Sequence, residues 1–208
     1  DVAPSRGLGD VYKRQVLAAG SVFTGSVHEP IKGTKNPQKM LQTGIPFTKK
    51  PVALQFDYKV KMSDRENRIR ATGFSKITDV PGKDYPAAIL LLQKRWEDAN
   101  GNVYAKRIGT MVTYYYHSTD WKNNATYEIM YGDITNRPEY KSHMMRLQAT
   151  ESYTVNSKGE SVPIHEVAWG DENDVPTHMC LQFTSSHGGA YIGSPGNTLW
   201  IDNVKLVY

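Results

Sequence analysis

The chain reads as an all-β protein, a sandwich of two sheets. Three observations predict this. Residues 51–63 alternate through six apolar positions, Val52, Leu54, Phe56, Tyr58, Val60 and Met62, against a face carrying Gln55, Asp57, Lys59 and Lys61. That is the period-two signature of a half-buried strand. Asp98-Ala-Asn-Gly-Asn102 places Asn-Gly between two apolar runs, the strongest short hairpin signal. Elsewhere, short β-rich runs are separated by clusters of Gly, Pro, Asn and Ser, and no stretch has a convincing helical period.

The elements follow in order. Residues 16–24 are short and apolar and suit a first strand, ended by Gly25. Residues 28–44 carry Gly, Pro, Asn and Lys and read as loop. The strand over 51–63 comes next; burying its six apolar side chains contributes on the order of 1.5–3 kcal/mol each before entropy. Residues 64–84 are charged, then rich in Gly and Pro, and read as a connection. Residues 87–96 and 103–108 are the two arms of the hairpin. Residues 110–117 include Tyr114, Tyr115 and Tyr116 and form a β-rich run. Residues 118–124 place Trp121 in a polar turn. Tyr127, Ile129 and Tyr131 alternate in a further strand. Residues 140–149 fit a helix bearing His143, Met144 and Leu147 on one face, or a strand. Residues 151–176 are polar, with a turn at Ser157-Lys-Gly159. Residues 177–184 alternate Met179, Leu181 and Phe183. After the glycine-rich stretch 185–197 the chain closes on residues 198–208. There the apolar phase changes at Asn203, from Leu199 and Ile201 to Val204, Leu206 and Tyr208, as at a β-bulge.

This last region carries a family resemblance. Phe183-Thr-Ser-Ser, a glycine-rich link with Gly188-Gly189 and Tyr191-Ile-Gly193-Ser, and Leu199-Trp-Ile-Asp-Asn-Val-Lys-Leu206 resemble the C-terminal signature of the putative carbohydrate metabolism domain (PCMD) family, secreted and surface proteins of Bacteroidetes. Gly44-Ile-Pro-Phe-Thr48 followed by Pro51-Val-Ala-Leu-Gln-Phe-Asp-Tyr-Lys59 is similar to an earlier strand of the same family. The resemblance covers Ser21 to Tyr208 and implies a jelly roll, a topology that the patterning alone does not select over an immunoglobulin-like sandwich. It also implies location on the extracellular side of the outer membrane or in the periplasm, and an immunoglobulin-like domain ahead of this one.

Ser5-Arg-Gly-Leu-Gly-Asp-Val-Tyr-Lys-Arg-Gln15 reads as the in-frame translation of a common transposon sequencing adapter, so residues 1–15 are set aside as non-native. This points to a metagenomic source and a missing N-terminus, through which an outer-membrane tether is expected. The lack of a signal peptide therefore carries no weight. Setting 15 of the 208 residues aside leaves 193 for a single domain, residues 16–208, and reduces the formal charge from +4 to +3. No basic patch stands out, and no nucleic-acid partner is expected. Cys180 is the lone cysteine, so no internal disulfide or CxxC site forms. It is expected to be small, buried and inert. No run of about 18 apolar residues occurs.

Flat aromatic rings offer sugars an apolar face at low entropic cost. The candidate ligand-binding residues are Trp121, Trp169, Trp96, Tyr116, Tyr140 and Glu166. Trp121 and Trp169 are expected to be exposed, and Trp200 to face the core or the sheet seam. Glycosidases need two carboxyls flanking one bond. Asp57, Glu97, Asp98, Asp120, Glu128, Glu166 and residues 171–174 supply acids, but none lies in a recognisable motif and no catalytic residue is assigned. Asp171 and Asp174 are oxygen ligands of the kind calcium takes, so a structural Ca²⁺ there is the one cofactor considered. The six histidines show no zinc spacing. Ser185-Ser-His187 lacks a nucleophile elbow and reads as turn chemistry. The expected role is non-catalytic binding of a polysaccharide or oligosaccharide through exposed aromatics. The alternatives are a glycoside hydrolase using paired carboxylates, and a structural or adhesin module without a small ligand.

Overall fold

A computed structural model describes residues 16–28, 36–73, 76–144, 146–148 and 151–208. The adapter-like segment 1–15 lies outside the described residues. The fold is all-β, as expected. Its elements in chain order are β1 (Ser21–Phe23), β2 (Gly25–Val27), a 3-10 turn (Pro37–Met40), β3 (Leu41–Thr43), β4 (Ile45–Pro46), β5 (Ala53–Lys61), β6 (Arg68–Arg70), β7 (Thr78–Val80), β8 (Ala87–Glu97), β9 (Val103–Tyr114), β10 (Thr119–Glu128), β11 (Met130–Tyr131), β12 (Tyr153–Val155), β13 (Ser161–Trp169), β14 (His178–Thr184), β15 (Ile192–Gly193) and β16 (Thr198–Val207).

The large sheet runs β1-β14-β8-β9-β13-β12-β3-β2, with β11 added beside β9 and β4 beside β14. A second sheet, β10-β5-β16, packs over it, and a third, β15-β6-β7, is small. Most pairings are antiparallel, but β13 joins β9 in parallel. The core lies between the first two sheets. Leu54, Phe56 and Val60 from β5 meet Leu90 and Leu92 from β8, Ile108 and Met111 from β9, and Met179 and Phe183 from β14. Phe56 is the hub, 5.2 Å from the Tyr127 ring and 4.9 Å from the Phe183 ring.

The period-two reading of β5 holds from Leu54 to Val60, while Val52 is exposed and precedes the strand. The hairpin forms between β8 and β9. Its turn is closed by Gly101 N–H on Asp98 O (3.0 Å), and Asp98 Oδ1 accepts the backbone N–H of Asn100 and of Asn102. Gly101 has φ +91°, a conformation that favours glycine. Residues 110–114 continue the same strand rather than starting another.

The change of phase at Asn203 is a bulge: the β16–β5 register shifts between Asp202 and Lys205, and Asn203 has φ 52°. β10 is also bulged, with Asn124 at φ 52°. Asp57, on the strand between them, accepts Asn124 N–H (2.5 Å) on one oxygen and Asn203 Nδ2 (2.7 Å) on the other. One carboxylate thus pins irregularities on both flanking strands.

Several expectations are corrected. Trp121 lies within β10, not in a turn; the bulges break the alternation that would have marked the strand. Trp200 is 40% exposed, with Lys59 Nζ 5.9 Å from its ring centroid. Beyond the bulge only Leu206 of the expected set packs on the core, while Val204 and Tyr208 are exposed. Residues 140–144 and 146–148 are neither helix nor strand. The stretches read as connections hold β3, β6, β7, β12 and β13. β13 escaped because Pro163 and a bulge between Glu166 and Ala168 interrupt its pattern. Cys180 is half-buried, with Arg95 donating to its Sγ at 3.0 Å, and burial pushes the thiol pKa up. That keeps it protonated and unreactive.

Candidate functional site

The site starts from an unpaired stretch of β9. β13 pairs with this strand only over Val103–Arg107, and β11 only with Gly109 and Thr110. Met111–Tyr114 therefore has no strand on that side among the described residues. A cleft of about 540 Å³ opens there. Its walls come from β9 and Tyr116, from Thr126–Glu128 of β10 with Met130, and from Arg137, Glu139, Lys141, His143 and Met144. The last segment folds by short turns, with Tyr140 N–H on Arg137 O and Met144 N–H on Lys141 O.

Five rings cluster at one wall, and Tyr114, Tyr116 and His143 among them line the cleft. Tyr114 stacks on His143 (4.7 Å) and meets His187 (4.8 Å). Tyr85 packs on Tyr116 (4.7 Å) and His187 (5.5 Å). Strand pairing explains the arrangement, because Tyr114 lies opposite Ala87 and Tyr115 N–H bonds Pro86 O, which brings Tyr85 alongside. The Tyr116 hydroxyl is 3.2 Å from His143 Nδ1. Burial, with the nearby Lys141 charge, holds the His143 imidazole below its usual pKa, opposed by a hydrogen bond to the Val112 carbonyl. Burial likewise raises the Tyr114 hydroxyl. Both rings are therefore neutral at physiological pH.

Behind this wall stands Asp84, 2% exposed. Its Oδ1 lies 3.1 Å from His187 Nδ1 and accepts His187 N–H at 3.2 Å. Its Oδ2 accepts Ser194 N–H (3.0 Å) and Asn197 Nδ2 (3.3 Å). Burial alone would raise this carboxyl, but the hydrogen bonds from His187, Ser186 and Ser194 and the His187 charge outweigh it and hold it below the usual range. Asp84 thereby ties the glycine-rich crossing to the start of β8 and fixes His187 against the tyrosines. A second hollow of about 440 Å³, between residues 17–22 and 192–201, has no charged side chain in its lining, which makes it the poorer candidate.

The expected ligand residues are dispersed. Tyr116 lines the cleft and is 47% exposed. Tyr140 is half-buried between the cleft-lining Glu139 and Lys141. Trp96, 42% exposed, leans on Tyr104 (5.9 Å, 22° between planes), which meets His165 (5.6 Å), a row across β8, β9 and β13. Trp121 is 48% exposed on β10. Trp169 is half-buried, with the Arg107 guanidinium carbon 5.7 Å from its ring centroid. Glu166 is buried in an ion pair with Arg107, whose Nε donates at 2.5 Å, and it also accepts Gln93 Nε2 (2.6 Å) and Gln148 N–H (2.7 Å). Asp174 takes Lys94 Nζ (2.8 Å) and Asp171 N–H (3.0 Å). No three His, Cys, Asp or Glu side chains converge as a metal site among the described residues. Of the acids, Glu128 reaches the cleft and is joined by Glu139. Tyr85, Tyr114, His143, His187 and Asp84 were not singled out for binding. The shared strand phase of Tyr114 and Tyr116 is a usable signal, whereas nothing local marks Asp84.

The family model described as "putative carbohydrate metabolism domain" matches residues 3–207. The chain belongs to this family. The match begins inside the segment read as adapter. No curated protein sequence matches this PCMD chain. Two solved structures share its fold. One is described as "a putative glycoside hydrolase" from Bacteroides thetaiotaomicron, with 20% identity, TM-score 0.54, and coverage of 92% of this chain and 47% of that one. The other is described as "a putative glycoside hydrolase" from Bacteroides vulgatus, with 15% identity, TM-score 0.50, and coverage of 91% and 64%. The PCMD chain thus spans about half of the first and under two thirds of the second.

Proposed function

We propose that this domain binds glycan, polysaccharide or oligosaccharide, in the cleft beside β9. The observation that carries the reading is that Tyr114, Tyr116 and His143 line a hollow also lined by Arg137, Glu139, Lys141 and Glu128, with Tyr85 and His187 packed behind those rings. Rings offer C–H faces a stacking surface, and the surrounding charged groups suit hydroxyl recognition. Membership of a carbohydrate-metabolism family supports the same class of ligand. The proposed setting is the extracellular side of the outer membrane or the periplasm.

The test is a glycan array and a hydrolysis screen on the purified domain. Tyr116→Ala is expected to weaken binding about 5- to 150-fold, since loss of one stacked ring removes roughly 1–3 kcal/mol. Trp121→Ala, outside the cleft, should leave it unchanged. Release of saturated sugars, abolished by Glu128→Gln or Glu139→Gln, would replace the binding role with a hydrolase. Failure to bind any glycan would favour a structural or adhesin module.

A further inference from the structure

We propose that the cleft cleaves uronate-bearing glycans by β-elimination, with Tyr116 moving the proton and His143 readying it; this rests on the glycan-binding reading of the same cleft. Tyr116 presents an exposed hydroxyl to the hollow, 3.2 Å from His143 Nδ1. The His143 ring also bonds the Val112 carbonyl. In the tautomer protonated on Nε2, Nδ1 is the acceptor for the tyrosine proton. A phenol with a neutral imidazole in hydrogen-bond reach is a competent general base.

The cations supply the second requirement. Elimination takes the proton from C5, next to the uronate carboxylate, and negative charge develops on that carboxylate. Lys141 and Arg137 border the hollow, and Lys141 is close enough to act on His143. Arg137 is held in place by donating to Tyr131 O at 2.6 Å. Fixed cations stabilise charge as it develops. The other ionisable groups facing this pair are Tyr114 from β9, Glu128 from β10 and Glu139 from the 137–144 segment, with Asp84 and His187 behind Tyr114.

The step balances. His143 Nδ1 takes the Tyr116 hydroxyl proton, and the phenolate oxygen takes the proton on C5. The C5–H electron pair forms the C4–C5 double bond. The C4–O4 bond breaks, its electron pair leaves on O4, and O4 takes the proton from the Tyr116 oxygen. His143 then returns its proton to Tyr116. The products are a 4,5-unsaturated uronate and a free hydroxyl on the departing sugar, with no external oxidant or water consumed.

The experiment incubates the purified domain with chondroitin, hyaluronan, heparin, polygalacturonate and alginate, and follows the ultraviolet absorbance of the conjugated double bond. At least one should yield it. Tyr116→Phe should lower kcat by about 100-fold or more with KM little changed. Lys141→Ala should lower kcat, because the charge it faces develops in the transition state. In His143→Gln the rate should keep climbing at alkaline pH instead of levelling once the imidazole is neutral, a change of profile that a merely structural role would not produce. Absence of absorbance with every substrate, saturated reducing ends instead, or a fully active Tyr116→Phe overturns the inference. Glycan binding without any product overturns the elimination alone and leaves the binding role standing.

Discussion

Arg107 is wholly buried, and its guanidinium is matched to the Glu166 carboxylate with Gln93 and the Gln148 N–H filling the remaining acceptor positions. Removing one member of such a pair strands the other charge. Arg107→Ala is expected to destabilise the domain by about 3–5 kcal/mol in urea unfolding, and Arg107→Met combined with Glu166→Leu to recover most of that loss. Asp84 gives a pH dependence whose sign follows from its lowered value. A folded pKa below the unfolded one, about 3.9, stabilises above that pH and loses the contribution as pH falls through the folded value. Thermal midpoints should therefore drop below about pH 4, and Asp84→Asn should flatten the curve in that window. At this scale the sequence was readable where a side chain's fate is local. Tyr116 lines the cleft and belongs to a β-rich run that is plain in the sequence. The exposure of Trp200 was not readable, because which face a ring takes depends on register against β5, and Glu166 could not be known to have Arg107 across the β9–β13 pair.

At the scale of elements, alternation located β5, β8, β14 and β16, and the slip at Asn203 was visible as a change of phase. Those strands put one face on the core, so burial writes itself into the spelling. Phe56, at the centre of β5, shows how strongly: Phe56→Ala is expected to cost about 3–5 kcal/mol, measured by equilibrium denaturation. β13 left no such mark. It pairs in parallel with β9, contains a proline and a bulge, and buries the polar Glu166. β10 was half-read for a related reason, since its bulges shift the outward residues out of step.

The whole molecule is assembled from distant pieces. β5 pairs with β10 and with β16 near the chain's end, and β14 inserts between β8 and β1. Such pairing makes folding slow for topological reasons, and stopped-flow refolding is expected on a milliseconds-to-seconds scale or longer. The same non-locality hides the cleft. Tyr85 and Tyr114 come together through the β8–β9 register, His143 through an irregular segment, and His187 and Asp84 through the glycine-rich crossing. The sandwich was legible because its core strands carry their own pattern, whereas the cleft exists only once β9, β10 and the 137–144 segment have met.

The Asp57 clamp has a consequence beyond the domain itself. β10 and β16 are the two rims of their sheet, and an uninterrupted rim is a template on which another copy can add a strand. Each rim is interrupted by an asparagine in the left-handed region, and both interruptions are tethered to the one carboxylate at the middle strand. A single acid thus keeps two rows of backbone donors and acceptors out of line with any incoming chain, so its loss would expose both flanks to fibril-like stacking at once.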